Sequence, residues 1–242
     1  GLGGPWAIWV ADAATLKAQQ VWASAPAAGA TLPRLAGENA LQWAADGRLI
    51  FASEQDGWMH LYSFPSSGGT PMLLTPGECE VEDVAYSLDR RTIVYSSNCG
   101  DIDRRHIWSV PAAGGTPTAL TRGETIEWNP TALAGGSIAF LRSDARVPGS
   151  PYLWSPSSGE PRAIAPETIP KDFPAASLVM PEQVIFKSAD GWTIHAQLFL
   201  PSPKPSGRLP ALIFMHGGPV RQMLLGWHYR YYYHNCYAMN QY

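Results

Sequence analysis

The residues best suited to chemistry are His216-Gly217-Gly218-Pro219. They follow Ala211-Leu212-Ile213-Phe214-Met215, an apolar run that predicts a buried strand, and that run follows the loop from Pro201 to Arg208. Two adjacent glycines at the tip of such a strand lack Cβ atoms. A substrate carbonyl can therefore come close to the backbone, and a peptide N–H can point at its oxygen as negative charge develops. This is the chemistry of acyl transfer, with Gly218 and Gly217 as the candidate oxyanion donors. His216, Arg221 and Gln222 are candidates for the adjoining substrate cavity. Acyl transfer also needs a nucleophile, and no Gly-x-Ser-x-Gly occurs in the 242 residues.

Other polar groups read more plainly. His216, His228 and His234 are spaced by 12 and 6 residues, which does not put two imidazoles on one helix face, so no metal is expected. Nothing in the sequence calls for a cofactor. Glu78, Glu80, Glu82 and Asp83 form an acidic cluster that reads as a solvated loop. Tyr229, Tyr231, Tyr232 and Tyr233 crowd a segment, Val220–Tyr242, that predicts a helix started by Pro219, with the phenols at its packed edge.

The elements that must hold these residues begin with a repeat. His60-Leu61-Tyr62-Ser63-Phe64-Pro65, followed by Gly68-Gly69-Thr70-Pro71, returns 46 residues on as His106-Ile107-Trp108-Ser109-Val110-Pro111 and Gly114-Gly115-Thr116-Pro117. A shortened copy begins at Tyr152-Leu153-Trp154-Ser155, and a weaker one opens the chain at Ala7-Ile8-Trp9-Val10. Between copies lie hairpin signals: Trp43–Phe51 around Asp46-Gly47, and Val81–Ser87 with Thr92–Ser97 around Leu88–Arg91. Four short strands per period of 40 to 50 residues is the pattern of a β-propeller blade. Residues 1–165 thus predict a partial propeller of three to four blades. Repeat-equivalent His60 and His106 are expected to be structural. Cys79 and Cys99 are equidistant from the turn at residue 89, so they are either two free thiols or a disulfide across that hairpin. Cys236 reads as a packed helix residue.

Residues 166–181, with Pro166, Pro170 and Pro174, break the repeat and read as a linker. Residues 182–242 then predict a second domain, opened by a hairpin around Asp190-Gly191. Trp192, Ile194, Ala196, Leu198 and Leu200 share one face of its second strand, and His195 lies on the more polar face.

Composition agrees with this plan. Hydrophobic residues make up 45% and charged residues 15%, the latter well under the roughly 25% of ordinary soluble domains. The 23 Gly and 22 Pro suit many tight turns. Net charge is −3 with no basic run, which argues against nucleic acid as a partner. No apolar stretch reaches membrane-spanning length. The opening Gly1-Leu2-Gly3-Gly4-Pro5 carries neither an initiator Met nor a leader. Further upstream sequence is expected, and the compartment, cytoplasmic or periplasmic, stays open, as does the oligomeric state.

Phe186–Trp192, Leu198–Pro201 and Pro210–Pro219, preceded by the four-stranded repeats, resemble the propeller-to-hydrolase junction of the prolyl oligopeptidase family, the S9 serine peptidases. The dipeptidyl-peptidase-IV-like and acylaminoacyl-peptidase-like branches fit best. The resemblance implies a mostly β chain: a partial propeller, then the first strands and first helix of an α/β-hydrolase domain. It also implies a gated serine peptidase acting on short peptides through an acyl-enzyme, with Ser, Asp and His all downstream of the matched region. No triad residue can be numbered in this chain, which is therefore expected to be inactive alone. Some branches place a Tyr hydroxyl where this chain has His216, so His favours the backbone-amide form of the oxyanion hole. Propeller carboxylates of dipeptidyl-peptidase relatives hold a substrate amino terminus, but no motif here transfers that role to the acidic cluster. The competing functions are an esterase carrying a propeller and a non-catalytic propeller scaffold.

Overall fold

The computed structural model describes residues 4–27, 29–33, 35, 40–218 and 222–241. The chain is mostly β. A two-stranded hairpin, β1 (Ala7–Ala11) and β2 (Ala18–Ala23), comes first. Three four-stranded antiparallel sheets follow, each in meander order. The first contains β3 (Leu41–Trp43), β4 (Arg48–Ser53), β5 (His60–Pro65) and β6 (Met72–Leu73). The second contains β7 (Val81–Tyr86), β8 (Thr92–Ser97), β9 (His106–Pro111) and β10 (Thr118–Ala119). The third contains β11 (Ile126–Ala132), β12 (Ile138–Ser143), β13 (Ser150–Trp154) and β14 (Arg162–Ala163).

The sheets stack face on face, which explains why their central strands are apolar on both sides. Along β4, Leu49 and Phe51 face the hairpin and pack with Ile8, Tyr62 and Phe64. The alternate residues Ile50 and Ala52 face the second sheet and pack with Val84, Ile93 and Tyr95. Along β8 the same alternation sends Ile93 and Tyr95 backwards and Val94 forwards, where it meets Ile138 and Phe140 of the third sheet. One sheet alone could bury neither face, so each stabilises its neighbours.

Polar ties repeat with the same period. The N–H of Leu61 donates to Thr75 Oγ1 at 2.9 Å, and that of Ile107 to Thr121 Oγ1 at 2.8 Å. His60 Nδ1 lies 2.7 Å from Asp56, and His106 Nδ1 2.7 Å from the fully buried Glu127. Both histidines are thus held inside the sheets, as their equivalence predicts. Asp46 and Gly47 have φ 57° and 65°, the left-handed pair a tight hairpin needs. Cys79 and Cys99 are joined by a disulfide across the β7–β8 hairpin, with Cα atoms 5.0 Å apart.

After the third sheet, residues 164–181 hold only two single turns of 3-10 helix. A hairpin of β15 (Glu182–Lys187) and β16 (Thr193–Leu198) follows, and the last element is α1 (Tyr231–Asn240), which buries Cys236.

Two expectations fail here. The run Ala211–Met215 is not a strand, and Leu212, Ile213 and Met215 are exposed. An apolar run becomes a core strand only when other strands flank it. Here β15 and β16 pair with each other, and neither pairs with 211–215 among the described residues. Of the helix expected over Val220–Tyr242, the described residues form only Tyr231–Asn240. Upstream of it, the N–H groups of Leu225 and Trp227, which an α-helix would have kept for itself, are given to the carbonyls of Asp103 and Asp144, in the loops after β8 and β12.

Candidate active site

The His-Gly-Gly loop is positioned by the segment that follows it. Residues 222–230 lie against the second and third sheets with Leu224, Leu225 and Trp227 buried. The Leu225 N–H donates to Asp103 O at 3.1 Å and the Trp227 N–H to Asp144 O at 3.0 Å. Ser143 Oγ donates to Trp227 O at 2.6 Å. Gly226 is required at this crossing, because a Cβ there would stand 2.9 Å from the Asp144 backbone. His228 closes the segment on itself. Its Nε2 lies 3.0 Å from Gln222 O, and its Nδ1 accepts the Arg230 N–H at 2.9 Å. Both ring nitrogens are used in a way that suits the neutral imidazole. Burial lowers its pKa to about 4, with Arg105 and Arg230 acting in the same direction.

Charged groups fasten the segment from the sheet side. Arg105 Nε donates to Glu82 Oε1 at 2.6 Å, and the Tyr229 hydroxyl donates to the other Glu82 oxygen. Burial works to raise the Glu82 pKa, yet the Arg105 guanidinium and the Tyr229 hydrogen bond hold it below the ordinary carboxylate range. Burial likewise raises the pKa of Tyr229. Asp103 is a second tie: its carboxylate meets Gln183, His195 (3.0 Å) and Gln222, linking β15 and β16 to the docked segment.

The acidic cluster is therefore a solvated loop only at its start, where Glu78 is exposed outside any strand. Glu82 and Asp83 lie within β7, and Asp83 accepts from Ser96 and from the Asn129 N–H. The reason is pairing: carboxylates given guanidinium, phenol and amide partners can be withdrawn from water. His195, expected on a polar face, has a specific partner in Asp103. Neither tie could be read from spacing, because Glu82 and Tyr229 are 147 residues apart and Asp103 and His195 are 92 apart.

The loop itself is open. His216, Gly217 and Gly218 are exposed, and none of the described residues lies within 4 Å of where a Gly217 Cβ would stand. Gly218 has φ 72°, a conformation favouring glycine. The Tyr233 hydroxyl, in the first turn of α1, donates to Gly217 O, and His216 Nδ1 lies 3.3 Å from the same oxygen. Among the described residues, the N–H groups of Gly217 and Gly218 have no hydrogen-bond partner. Gln222 faces the sheets: its amide nitrogen donates to Ile102 O at 2.8 Å, and its oxygen accepts from Arg105 at 3.4 Å. Pro219 and Arg221 lie outside the described residues. A separate cleft of about 470 Å³ between β7 and β11, lined by Asp83, Tyr86, Arg90 and Asn129 among others, includes none of this loop.

Residues 19–144 match the family described as the dipeptidyl peptidase IV (DPP IV) N-terminal region. A probable dipeptidyl peptidase 4 of Aspergillus fumigatus (strain CBS 144.89) is 29% identical over 181 residues, covering 72% of this chain and 23% of the relative. One from Aspergillus clavatus is 30% identical over 180 residues with the same coverage. The chain thus spans about a quarter of the length of the curated relatives it matches. Among solved structures, a puromycin-hydrolyzing peptidase of Mycobacterium tuberculosis superposes with TM-score 0.67 at 18% identity, covering 87% of this chain and 33% of that one. Dipeptidyl peptidase 4 of Porphyromonas gingivalis gives TM-score 0.65 at 17% identity, covering 84% and 29%. These two likenesses carry the fold.

Proposed function

This chain belongs to the dipeptidyl peptidase IV N-terminal region family, in keeping with its resemblance to the S9 peptidases, and from that premise we propose that it is part of a serine-type oligopeptidase. The three four-stranded sheets, with the β1–β2 hairpin packed on the first, are read as blades of a propeller over residues 1–165. Residues 166–181 are the linker, and residues 182–242 begin the hydrolase domain. The parent enzyme cleaves short peptides by forming an acyl-enzyme on a serine outside this chain.

One observation carries the reading. A loop with two exposed glycine N–H groups that have no partner among the described residues is followed by residues 222–230, which dock directly onto the sheets. In the reaction the scissile carbonyl oxygen becomes negative as the serine adds to its carbon. The Gly218 N–H, seconded by that of Gly217, donates to that oxygen. A preorganised donor of this kind supplies about 3 kcal/mol of transition-state stabilisation. His216 lines the approach.

The test uses the full-length parent with aminoacyl and dipeptidyl p-nitroanilides beside short p-nitrophenyl esters. Anilide turnover abolished by a serine-directed fluorophosphonate is the expected outcome. Turnover of esters alone would replace the peptidase by an esterase, and turnover of neither would leave a propeller scaffold. The 242-residue chain alone is expected to be silent in the same assay.

A further inference from the structure

We propose that Tyr233 is a positioning residue that sets the direction of the oxyanion donor. The inference rests on the function proposed above and deepens it. Gly217 O and Gly218 N–H belong to one peptide unit. In a planar trans peptide these two groups point in opposite directions, so fixing one fixes the other. The Tyr233 hydroxyl donates to Gly217 O from the first turn of α1, and His216 Nδ1 approaches the same oxygen at 3.3 Å. The carbonyl is thereby turned toward α1, and the Gly218 N–H is turned away from it, outward from the loop. Without that tie the unit would be free to rotate. It is exposed, it is flanked by two glycines, and none of the described residues stands within 4 Å of the Gly217 Cβ position. A rotated peptide would present a carbonyl, a hydrogen-bond acceptor, to the developing oxyanion.

The phenol is built for this task. The Tyr233 residue is buried, 4% exposed, with its ring 5.3 Å from that of His228 and edge-on to that of His216 at 6.2 Å. His228 in turn belongs to the segment anchored on Asp103 and Asp144. The orientation of one peptide plane is thus referred back to the sheets through a rigid aromatic contact rather than through the exposed loop.

The experiment is Tyr233→Phe in the full-length parent, assayed with the same p-nitroanilide and p-nitrophenyl ester substrates. Phe keeps the ring and its packing and removes only the donor. Expected are an unchanged Tm, a KM within about twofold of wild type, and a kcat lowered about tenfold, since the lost orientation matters only once the oxygen carries charge. Affinity for a peptidyl aldehyde, which forms a tetrahedral adduct, should fall by the same factor. A purely structural role would instead lower Tm and leave kcat in place. Normal wild-type turnover with an unaltered Tyr233→Phe kcat would overturn the positioning role and leave the proposed function standing. A wild-type parent that hydrolyses neither substrate would overturn both.

Discussion

Gly217 and Gly218 are adjacent but not equivalent. Gly218 has φ 72°, so any side chain there strains the backbone, whereas none of the described residues crowds the Cβ position of Gly217. Gly217→Ala therefore separates folding from chemistry. Stability should change by less than about 0.5 kcal/mol. In the parent enzyme the added methyl would stand where the substrate carbonyl must approach, and kcat/KM should fall about tenfold or more. Steady-state kinetics beside thermal denaturation checks both halves. An alanine variant of full activity would mean that substrate does not come near this backbone.

At the scale of elements, the docked stretch 222–230 makes acid sensitivity a property of one imidazole. Unfolded, His228 takes up a proton near its ordinary value of 6.5; folded, only near about 4. Between those values the unfolded chain binds more protons, so stability falls as pH drops through that window and is fully present above it. From pH 7 to pH 5 the loss amounts to about 2 kcal/mol. Denaturant titrations at pH 7 and pH 5 should show this slope, and His228→Gln, which cannot titrate, should flatten it. Equal slopes in the two proteins would assign the acid sensitivity elsewhere. The depressed pKa of Glu82 adds a stabilising contribution that is present above the ordinary carboxylate value and is lost as pH falls through the folded one.

Across the whole molecule, burial is uneven. The stacked sheets and the segment and helix docked on them, with Leu224, Trp227 and Tyr237, hold the large buried side chains, while the β15–β16 hairpin and the run after it leave apolar side chains open. Trp192 is 73% exposed, Leu212 94% and Met215 84%. Large apolar side chains left this open seek a cover. The 242-residue polypeptide is therefore expected to bind the hydrophobic dye ANS and to self-associate with rising concentration. Leu212→Lys with Ile213→Lys should reduce both while leaving the sheets intact. Sedimentation of a clean monomer without dye binding would mean that this surface is covered by other means.

The sheets were legible in the chain alone, because their signals are local. Alternating apolar residues, Asp-Gly and Gly-Gly turns, and a 46-residue repeat place β4, β5, β8 and β9 and mark His60 and His106 as internal. The two glycines were legible for the same reason: missing side chains are visible in any window. Where residues 211–218 and 222–230 go was settled by tertiary contacts. Whether Ala211–Met215 becomes a strand depends on neighbours that no local pattern supplies. The start of α1 is set by carbonyls of Asp103 and Asp144 that claim the preceding amides. The bonds Glu82–Tyr229, Asp103–His195 and Gly217–Tyr233 join residues that chain distance gives no reason to associate, and only folding makes them neighbours.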